Sequence, residues 1–316
     1  MIDVKNLSKD FNGKAAVKNI SFQVNEGETL VLLGTSGSGK TTTLRMINRL
    51  IEPSNGDILI NGTSIFSTSA EKLRRSIGYV LQNYGLFPHY TVAENIAIVP
   101  QLLQWPKDKT EQRTNELLDK LRLPAKDFAH VFPDKLSGGQ KQRVGLARAM
   151  AADPPILLMD EPFGALDPLT RIGIRDEFFA LDELKKKTVI LVTHDVQEAF
   201  AIADKICLMD KGEIVQIGSP IDLLFKPQND FVKHFLKHQR LQLELNSISI
   251  KSIWSELKDA DNKTETTLNS NQNLWQAIEL LTHNNDEITV VDKDLNAIKT
   301  VTFNNIQAAL NKLKNN

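Results

Sequence analysis

Apolar positions change their period several times along the first 240 residues. Ile2 to Leu7 and Ala15 to Val24 mix apolar and polar residues at short, β-type spacing, which predicts strands. Thr29 to Leu33 is a continuous apolar run that enters a glycine-rich turn. From Thr41 to Leu50 the spacing becomes helical. Residues 91 to 121 also read as helical, with Glu94, Glu111 and Glu116 among spaced apolar positions, and Ser137 opens a stretch whose Val144, Ala147 and Ala151 share one face. Two short runs, Ile156 to Met159 and Val189 to Val192, have the length of fully buried strands, and they alternate with helical stretches at 170 to 186 and 196 to 202. That rhythm predicts a mixed α/β domain with a parallel sheet at its core, preceded by an antiparallel β piece and interrupted by a helical insertion at about 88–150.

Composition adds a boundary. All 16 glycines lie at or before Gly218 and all 12 prolines at or before Pro227, whereas residues 241 to 316 hold no Arg and carry 7 Lys against 10 acidic residues, net −3. A chain of 316 residues has the length of roughly two domains, which places them at 1–240 and 241–316. The overall charge of −1 gives no electrostatic reason to expect nucleic acid as a partner. Cys207 is the only cysteine, which suits a reducing compartment. The strongest apolar runs, Glu28 to Gly34 and Pro155 to Asp160, fall far short of the ~20 residues of a membrane-spanning helix. The N-terminal MIDVKNLSKDF has no signal-peptide apolar core. A cytosolic chain is therefore expected, with any membrane role exercised through a partner.

Candidate chemistry begins right after the first buried run. Gly34, Thr35, Ser36, Gly37, Ser38, Gly39, Lys40 and Thr41 read GTSGSGKT, a loop whose successive backbone amides can wrap a phosphate. Lys40 adds a point charge at the β and γ phosphates, and the Thr41 hydroxyl can ligate Mg²⁺. Downstream, Ile156 to Met159 end in Asp160 and Glu161. A carboxylate at the tip of a buried strand can hold the metal shell and its neighbour can polarise a water, so Asp160 is the metal-side candidate and Glu161 the candidate general base. Between these sites stands LSGGQKQR, Leu136 to Arg143. Ser137, Gly138, Gly139 and Gln140 open a helix whose free amides form a second anion site. One nucleotide needs only one phosphate loop, so a second reader suggests a nucleotide shared between two copies.

With these motifs in order, the chain resembles the ATP-binding subunits of ABC transporters, whose signature is LSGGQ. The resemblance runs from about residue 1 to 238. It implies a P-loop NTPase fold: a RecA-like core with an antiparallel β piece and a helical subdomain. It also gives roles to Gln82 in YVLQN (sensing Mg²⁺ and the attacking water), Asp167 in GALD (dimer contact) and His194 in LVTHD (γ-phosphate). Phe11 becomes the adenine-stacking aromatic, although its position equally suits a small-sheet core, and Thr42 joins the nucleotide-binding set. ATP and Mg²⁺ are the implied cofactors. The implied partners are a second copy, head to tail, integral membrane permease subunits and, through them, an extracytoplasmic solute-binding protein, at the cytoplasmic face of the cell membrane. Tyr84 to Pro88 offers aromatic surface either for the permease or for packing within the insertion. His234 and His238, one helical turn apart, read as a solvated face, and Cys207 reads as core.

Residues 45 to 62 and 212 to 236 resemble the importer branch serving glycine betaine, choline and carnitine. Importers of amino acids or of an ergothioneine-like betaine are the alternatives, followed by a soluble ABC ATPase outside transport. From Ile248 to Leu313 the tail resembles one CBS module, a small α+β domain. Its elements are a helix at Leu274 to Leu281, a strand at Ile288 to Asp294, a second at Ala297 to Thr302 and a closing helix at Ile306 to Leu313. It departs from that pattern at Asn296 and Ala297, where a glycine is usual, and at Asn305, where the ribose-binding motif has Asp.

Overall fold

A computed structural model of the chain describes residues 1–260, 267–283 and 286–315. They divide into two units, Met1–Asp195 with Cys207–Val215, and Val196–Ile206 with Gln216–Asn316. In chain order the elements begin with β1 (Ile2–Phe11), β2 (Lys14–Val24), β3 (Thr29–Gly34), α1 (Lys40–Ile47), β4 (Asn55–Ile60), β5 (Thr63–Ser64), α2 (Ala70–Arg75) and β6 (Ile77–Val80). A run of helices follows, α3 (Val92–Leu102), α4 (Lys107–Lys120), α5 (Ala125–Phe128) and α6 (Gly138–Met150). Then come β7 (Ile156–Asp160), α7 (Pro168–Phe179), β8 (Thr188–Thr193), α8 (Val196–Ile202), β9 (Lys205–Asp210) and β10 (Glu213–Gly218).

The first unit holds two sheets. One is antiparallel, in the order β2-β1-β4-β5. Its tight turns at Asn12-Gly13 and Asn61-Gly62 put both residues at positive φ, the geometry that matches the twist of a hairpin. The other has the order β10-β9-β3-β8-β7-β6, in which β3, β8, β7 and β6 run parallel. Every residue of β7 and β8 is buried, as parallel strands covered on both faces require. One apolar core spans both sheets and α1, from Ile2, Val24 and Ile58 to Leu32, Leu44, Ile190 and Met209. Cys207 lies within it on β9, fully buried.

Between β6 and β7, where the sequence predicts a helical insertion, stand the α-helices α3 to α6. Residues 91 to 121 form two helices, because Gln104 turns left-handed and Pro106 caps the second. The stretch at 170 to 186 is likewise shorter: α7 ends at Phe179, and Leu184–Lys186 make a separate 3₁₀ turn. Ion pairs from this C-terminal part of α7 and the turn beyond it reach the insertion. Glu183 accepts from Arg113, at 2.7 Å, and from Lys120, while Glu177 pairs with Arg143 at 2.6 Å and Arg122 at 2.7 Å.

In the second unit α9 (Pro220–Phe225), α10 (Asp230–Leu236) and α11 (Arg240–Ser247) precede β11 (Lys258–Asp259), β12 (Thr267–Asn269), α12 (Leu274–Thr282), β13 (Ile288–Asp292), β14 (Ala297–Val301) and α13 (Phe303–Asn315). The sheet order is β11-β14-β13-β12. Its core gathers Leu245, Ile250, Leu274, Ala277, Val290, Val301 and Ile306. Helix α11 packs against α8 and α9, burying Leu243 and Leu245, and its Glu244 is fully buried against Arg240 at 2.7 Å. The division of contacts thus falls upstream of the compositional break near residue 240, which coincides with the start of α11.

Candidate nucleotide site

Four neighbouring parallel strands, β3, β8, β7 and β6, deliver their C-terminal ends to one edge of the sheet, the place where open α/β folds bind ligands. Gly34 ends β3, His194 follows β8, Glu161 follows β7 and Gln82 follows β6. Residues far apart in sequence therefore meet by topology.

The glycine-rich loop joins β3 to α1. Gly34 must lack a side chain, since a Cβ there would lie 2.0 Å from the Met209 carbonyl oxygen. Gly39, at φ 99°, is the N-cap of α1, and a Cβ on it would approach the Ala16 carbonyl oxygen to 2.7 Å. The Lys40 ammonium curls over the loop, donating to the carbonyl oxygens of Gly34 at 2.9 Å and Thr35 at 2.8 Å and to Ser38 Oγ at 3.3 Å. Burial holds its pKa below the usual lysine value, against the pull of Glu161 and Asp160. Bound phosphate oxygens would relieve that penalty. Thr35 and Ser36 are exposed at the rim, with Thr35 Oγ1 donating to Asp210 at 3.0 Å, while Ser38 is buried.

Asp160 is buried at the tip of β7, where Thr41 Oγ1 donates to its Oδ1 at 2.9 Å. Burial pushes its pKa up, which the Thr41 hydrogen bond and Arg45 oppose. A buried carboxylate beside a hydroxyl is a hard-oxygen donor pair of the kind Mg²⁺ takes, and a cation there would repay the cost of its ionisation. Thr41 and Asp160 therefore fit the metal. Gln82 stands elsewhere: its Nε2 donates to Glu161 Oε2 at 3.2 Å. The same oxygen lies 3.1 Å from His194 Nδ1. Glu161 has φ 45°, a left-handed backbone that costs a non-glycine residue roughly 1 kcal/mol or more and turns its carboxylate off the strand line. Its amide is anchored on the Val192 carbonyl at 3.0 Å.

At the start of α6, Ser137 Oγ accepts from the Gln140 amide at 3.3 Å and Gln140 Oε1 accepts from the Ser137 amide at 2.9 Å. This capping box uses the Gln140 side chain internally and leaves the Gly138 and Gly139 amides without intrahelical partners. Ser137 and Gly138 are exposed. Asp167 caps α7, accepting from the Thr170 amide at 3.1 Å, and the Thr170 hydrogen bonds hold its carboxyl below the usual range. The Phe11 ring is 45% exposed, with Lys9 Nζ 5.0 Å from its centroid, so it lies outside the sheet core. Phe87 and Tyr90 expose their rings beside a groove of about 350 Å³ that Leu50, Tyr79, Leu81, Phe87 and Ile98 help to line. His234 and His238 are exposed, and among the described residues no three metal-ligating side chains cluster.

Sequence reasoning missed two supporting residues. Arg45 sits 3.6 Å from Asp160 Oδ2, and Arg171 binds Asp195 Oδ2 at 3.2 Å and the Leu166 carbonyl at 3.2 Å. Each lies one helical turn beyond a motif residue, Thr41 or Asp167, and that spacing was the available signal.

Phosphate loop, strand-tip carboxylates and a capped second glycine turn together define a nucleoside-triphosphate-hydrolysing cassette. The family described as ABC transporter matches residues 17–164. The chain is 44% identical to the glycine betaine/carnitine/choline transport ATP-binding protein OpuCA of Bacillus subtilis (strain 168), over 93% of its own length and 76% of that protein's. It is 43% identical to the glycine betaine uptake system ATP-binding protein YehX of Escherichia coli (strain K12), over 92% and 94%. A dimeric post-hydrolysis structure of the ATP-binding cassette MJ0796 with ADP and Pi superimposes at a TM-score of 0.62, with 34% identity, over 69% of this chain and 98% of that one. This chain belongs to the ABC transporter ATP-binding protein family. It is an ATPase coupled to transport and works on ATP with Mg²⁺. Among the described residues no helix is long and apolar enough to cross a membrane.

Proposed function

We propose that this chain energises uptake of a compact quaternary amine, with glycine betaine, choline and carnitine as its substrate class. The observation that carries this reading is identity of 43–44% along 92–93% of the chain, tail included, to proteins named for that transport. Two copies meet head to tail at the cytoplasmic face of the membrane, beneath permease subunits that receive solute from an extracytoplasmic binding protein. The exposed aromatic groove at Leu81 and Phe87 is the surface that faces the permease.

In each site Gly34 to Thr42 of one copy hold the phosphates, Phe11 stacks on the base, and Ser137 to Gln140 of the other copy close over the γ-phosphate. Thr41 and Asp160 would hold Mg²⁺, which when bound neutralises charge on the β and γ phosphates, while Gln82, expected from the sequence to join them, is engaged at Glu161. Glu161 accepts the proton of the attacking water. Gln82 and His194, both hydrogen-bonded to Glu161, orient that carboxylate and sense the γ-phosphate, and Asp167 contacts the opposite copy. Residues 241–316 resemble a CBS module and regulate transport, with ionic strength as the input; residues 1–240 suffice for hydrolysis.

Uptake of radiolabelled glycine betaine, choline and carnitine by a deletion strain tests the substrate class. Loss of uptake is expected; parental uptake of all three, with no second transporter present, overturns it. Cysteines at exposed Ser36 and Ser137 should crosslink different copies in the presence of ATP, and crosslinks confined to one copy would refute the shared site. In proteoliposomes with the permease, a chain cut after Arg240 should keep its maximal ATPase and lose its salt response.

A further inference from the structure

The segment that carries Gln82 has no regular structure of its own. Tyr84 and Gly85 both have φ 58°, and the Gly85 amide donates to the Asn83 carbonyl at 2.5 Å, closing a three-residue turn of the strained hand. A bulky residue at positive φ persists only where its surroundings hold it. Here the holder is Arg148, near the C-terminal end of α6: its Nη1 donates to the Gly85 carbonyl at 2.6 Å and its Nη2 to the Tyr84 carbonyl at 2.9 Å. Burial lowers the pKa of this guanidinium, whose fork is spent on two carbonyl dipoles. The loop lies against two glycines of the same helix. A Cβ on Gly145 would lie 3.5 Å from the Tyr84 carbonyl oxygen, and one on Gly138 would lie 3.1 Å from the Tyr84 hydroxyl.

We infer that Arg148 is a positioning residue that fastens the Gln82 loop to the signature helix, so that Gln82 at Glu161 and Ser137 at the helix start move as one piece. Helix α6 is continuous from Gly138 to Met150, so Arg148 and Ser137 belong to one element. A shift of Gln82 toward a bound nucleotide pulls on the Tyr84 and Gly85 carbonyls, and through Arg148 on the whole helix. Lys replaces this function only in part, because its single ammonium lacks the rigid fork by which two separate nitrogens meet the two carbonyls. The Arg148 guanidinium is engaged by the Tyr84 and Gly85 carbonyls, so its effect passes through the loop that carries Gln82. The inference rests on the proposed role of Gln82.

The test is a double-mutant cycle on the full-length chain with its permease: Arg148→Met, Arg148→Lys, Gln82→Ala and the Arg148→Met/Gln82→Ala pair. We expect Arg148→Met to lower kcat about tenfold while KM for ATP stays within about twofold, since the phosphate loop is untouched. Arg148→Lys should fall between Arg148→Met and the parent, and the pair should be no slower than Gln82→Ala alone. Multiplicative losses in the pair, or an equal rise in KM, would overturn the role of Arg148. Full activity of Gln82→Ala would instead overturn the reading of Gln82 itself. Should Arg148→Met fail to fold, the kcat of Arg148→Lys at unchanged melting temperature decides, and a parental value refutes the proposal.

Discussion

The six-stranded sheet of the first unit and the four-stranded sheet of the second both carry polar residues at strand ends and helix starts, yet use them oppositely. In the first, strand-end groups converge on one another and on open space: Thr41 on Asp160, Gln82 and His194 on the same oxygen of Glu161. In the second they are consumed by the backbone. Asp292 Oδ1 accepts from the Asp294 and Leu295 amides, each at 2.9 Å, and Asn273 with Gln276 forms the capping box of α12. Asn305 Oδ1 accepts from the Thr302 amide at 3.0 Å while its own amide donates to Thr302 Oγ1 at 3.3 Å. A polar residue at a strand end is chemistry only when the fold leaves its hydrogen-bonding capacity facing a groove. Asn305 illustrates the alternative: the residue at which the tail departs from the ribose-binding pattern is spent on Thr302, as its partner in the cap of α13.

The sharpest way to break this contrast is Glu161→Gln. Removing the proton acceptor while keeping its size should cost about 10²- to 10⁴-fold in kcat and leave ATP binding intact, measured by single-turnover hydrolysis beside equilibrium binding. Near-parental turnover would return Glu161 to the class of structural strand-end acids. Next comes Gly34→Ala. The added methyl meets a fixed carbonyl, so a loss of roughly 2–4 kcal/mol in unfolding free energy is expected, read by denaturant titration, together with loss of nucleotide binding.

A smaller effect sharpens the comparison from the side of stability. Arg113 and Lys120 depress the Glu183 carboxyl to about 2 from its ordinary 4.5. Because the folded value lies below the unfolded one, the stabilisation is present above about pH 4.5 and is lost as pH falls toward 2. With screening of a side chain that is 25% exposed, Glu183→Gln should cost roughly 1–2 kcal/mol at neutral pH. The difference from the parent should vanish in acid melts. The smallest effect is expected in the second unit: Asn305→Ala should lower its stability by about 1 kcal/mol with ATPase activity within about twofold. Asn305→Asp should restore the cap.

The elements most legible in the sequence were those with an uninterrupted local pattern. Leu30 to Leu33 and Ile156 to Met159 are wholly apolar, and their glycine-rich or acidic ends fix where the strand stops. Strands β4, β5, β6, β10, β11 and β12 were missed, being short or mixed in polarity, although the Asn61-Gly62 dipeptide was a hairpin signal, and β9 was legible only as an apolar core run at Ile206 to Met209. Gln82, Asp160, Glu161 and His194 were legible as motifs. Their convergence was not, because it depends on β6, β7 and β8 lying side by side, an order that no residue spacing encodes. The start of the second unit was hidden for a related reason: composition changes at 240, but α11 finds its partners in α8 and α9.

The burial of Cys207 in β9 has a practical consequence. Its thiol, pushed up by burial, offers almost no thiolate to an electrophile or a peroxide. Maleimide dyes and spin labels should therefore leave the unaltered chain unmarked, and hydrogen peroxide should inactivate it only through other residues. A single cysteine introduced at an exposed position becomes the sole point of attachment, so opening and closing can be followed by fluorescence or magnetic resonance with the native sulfur left in place.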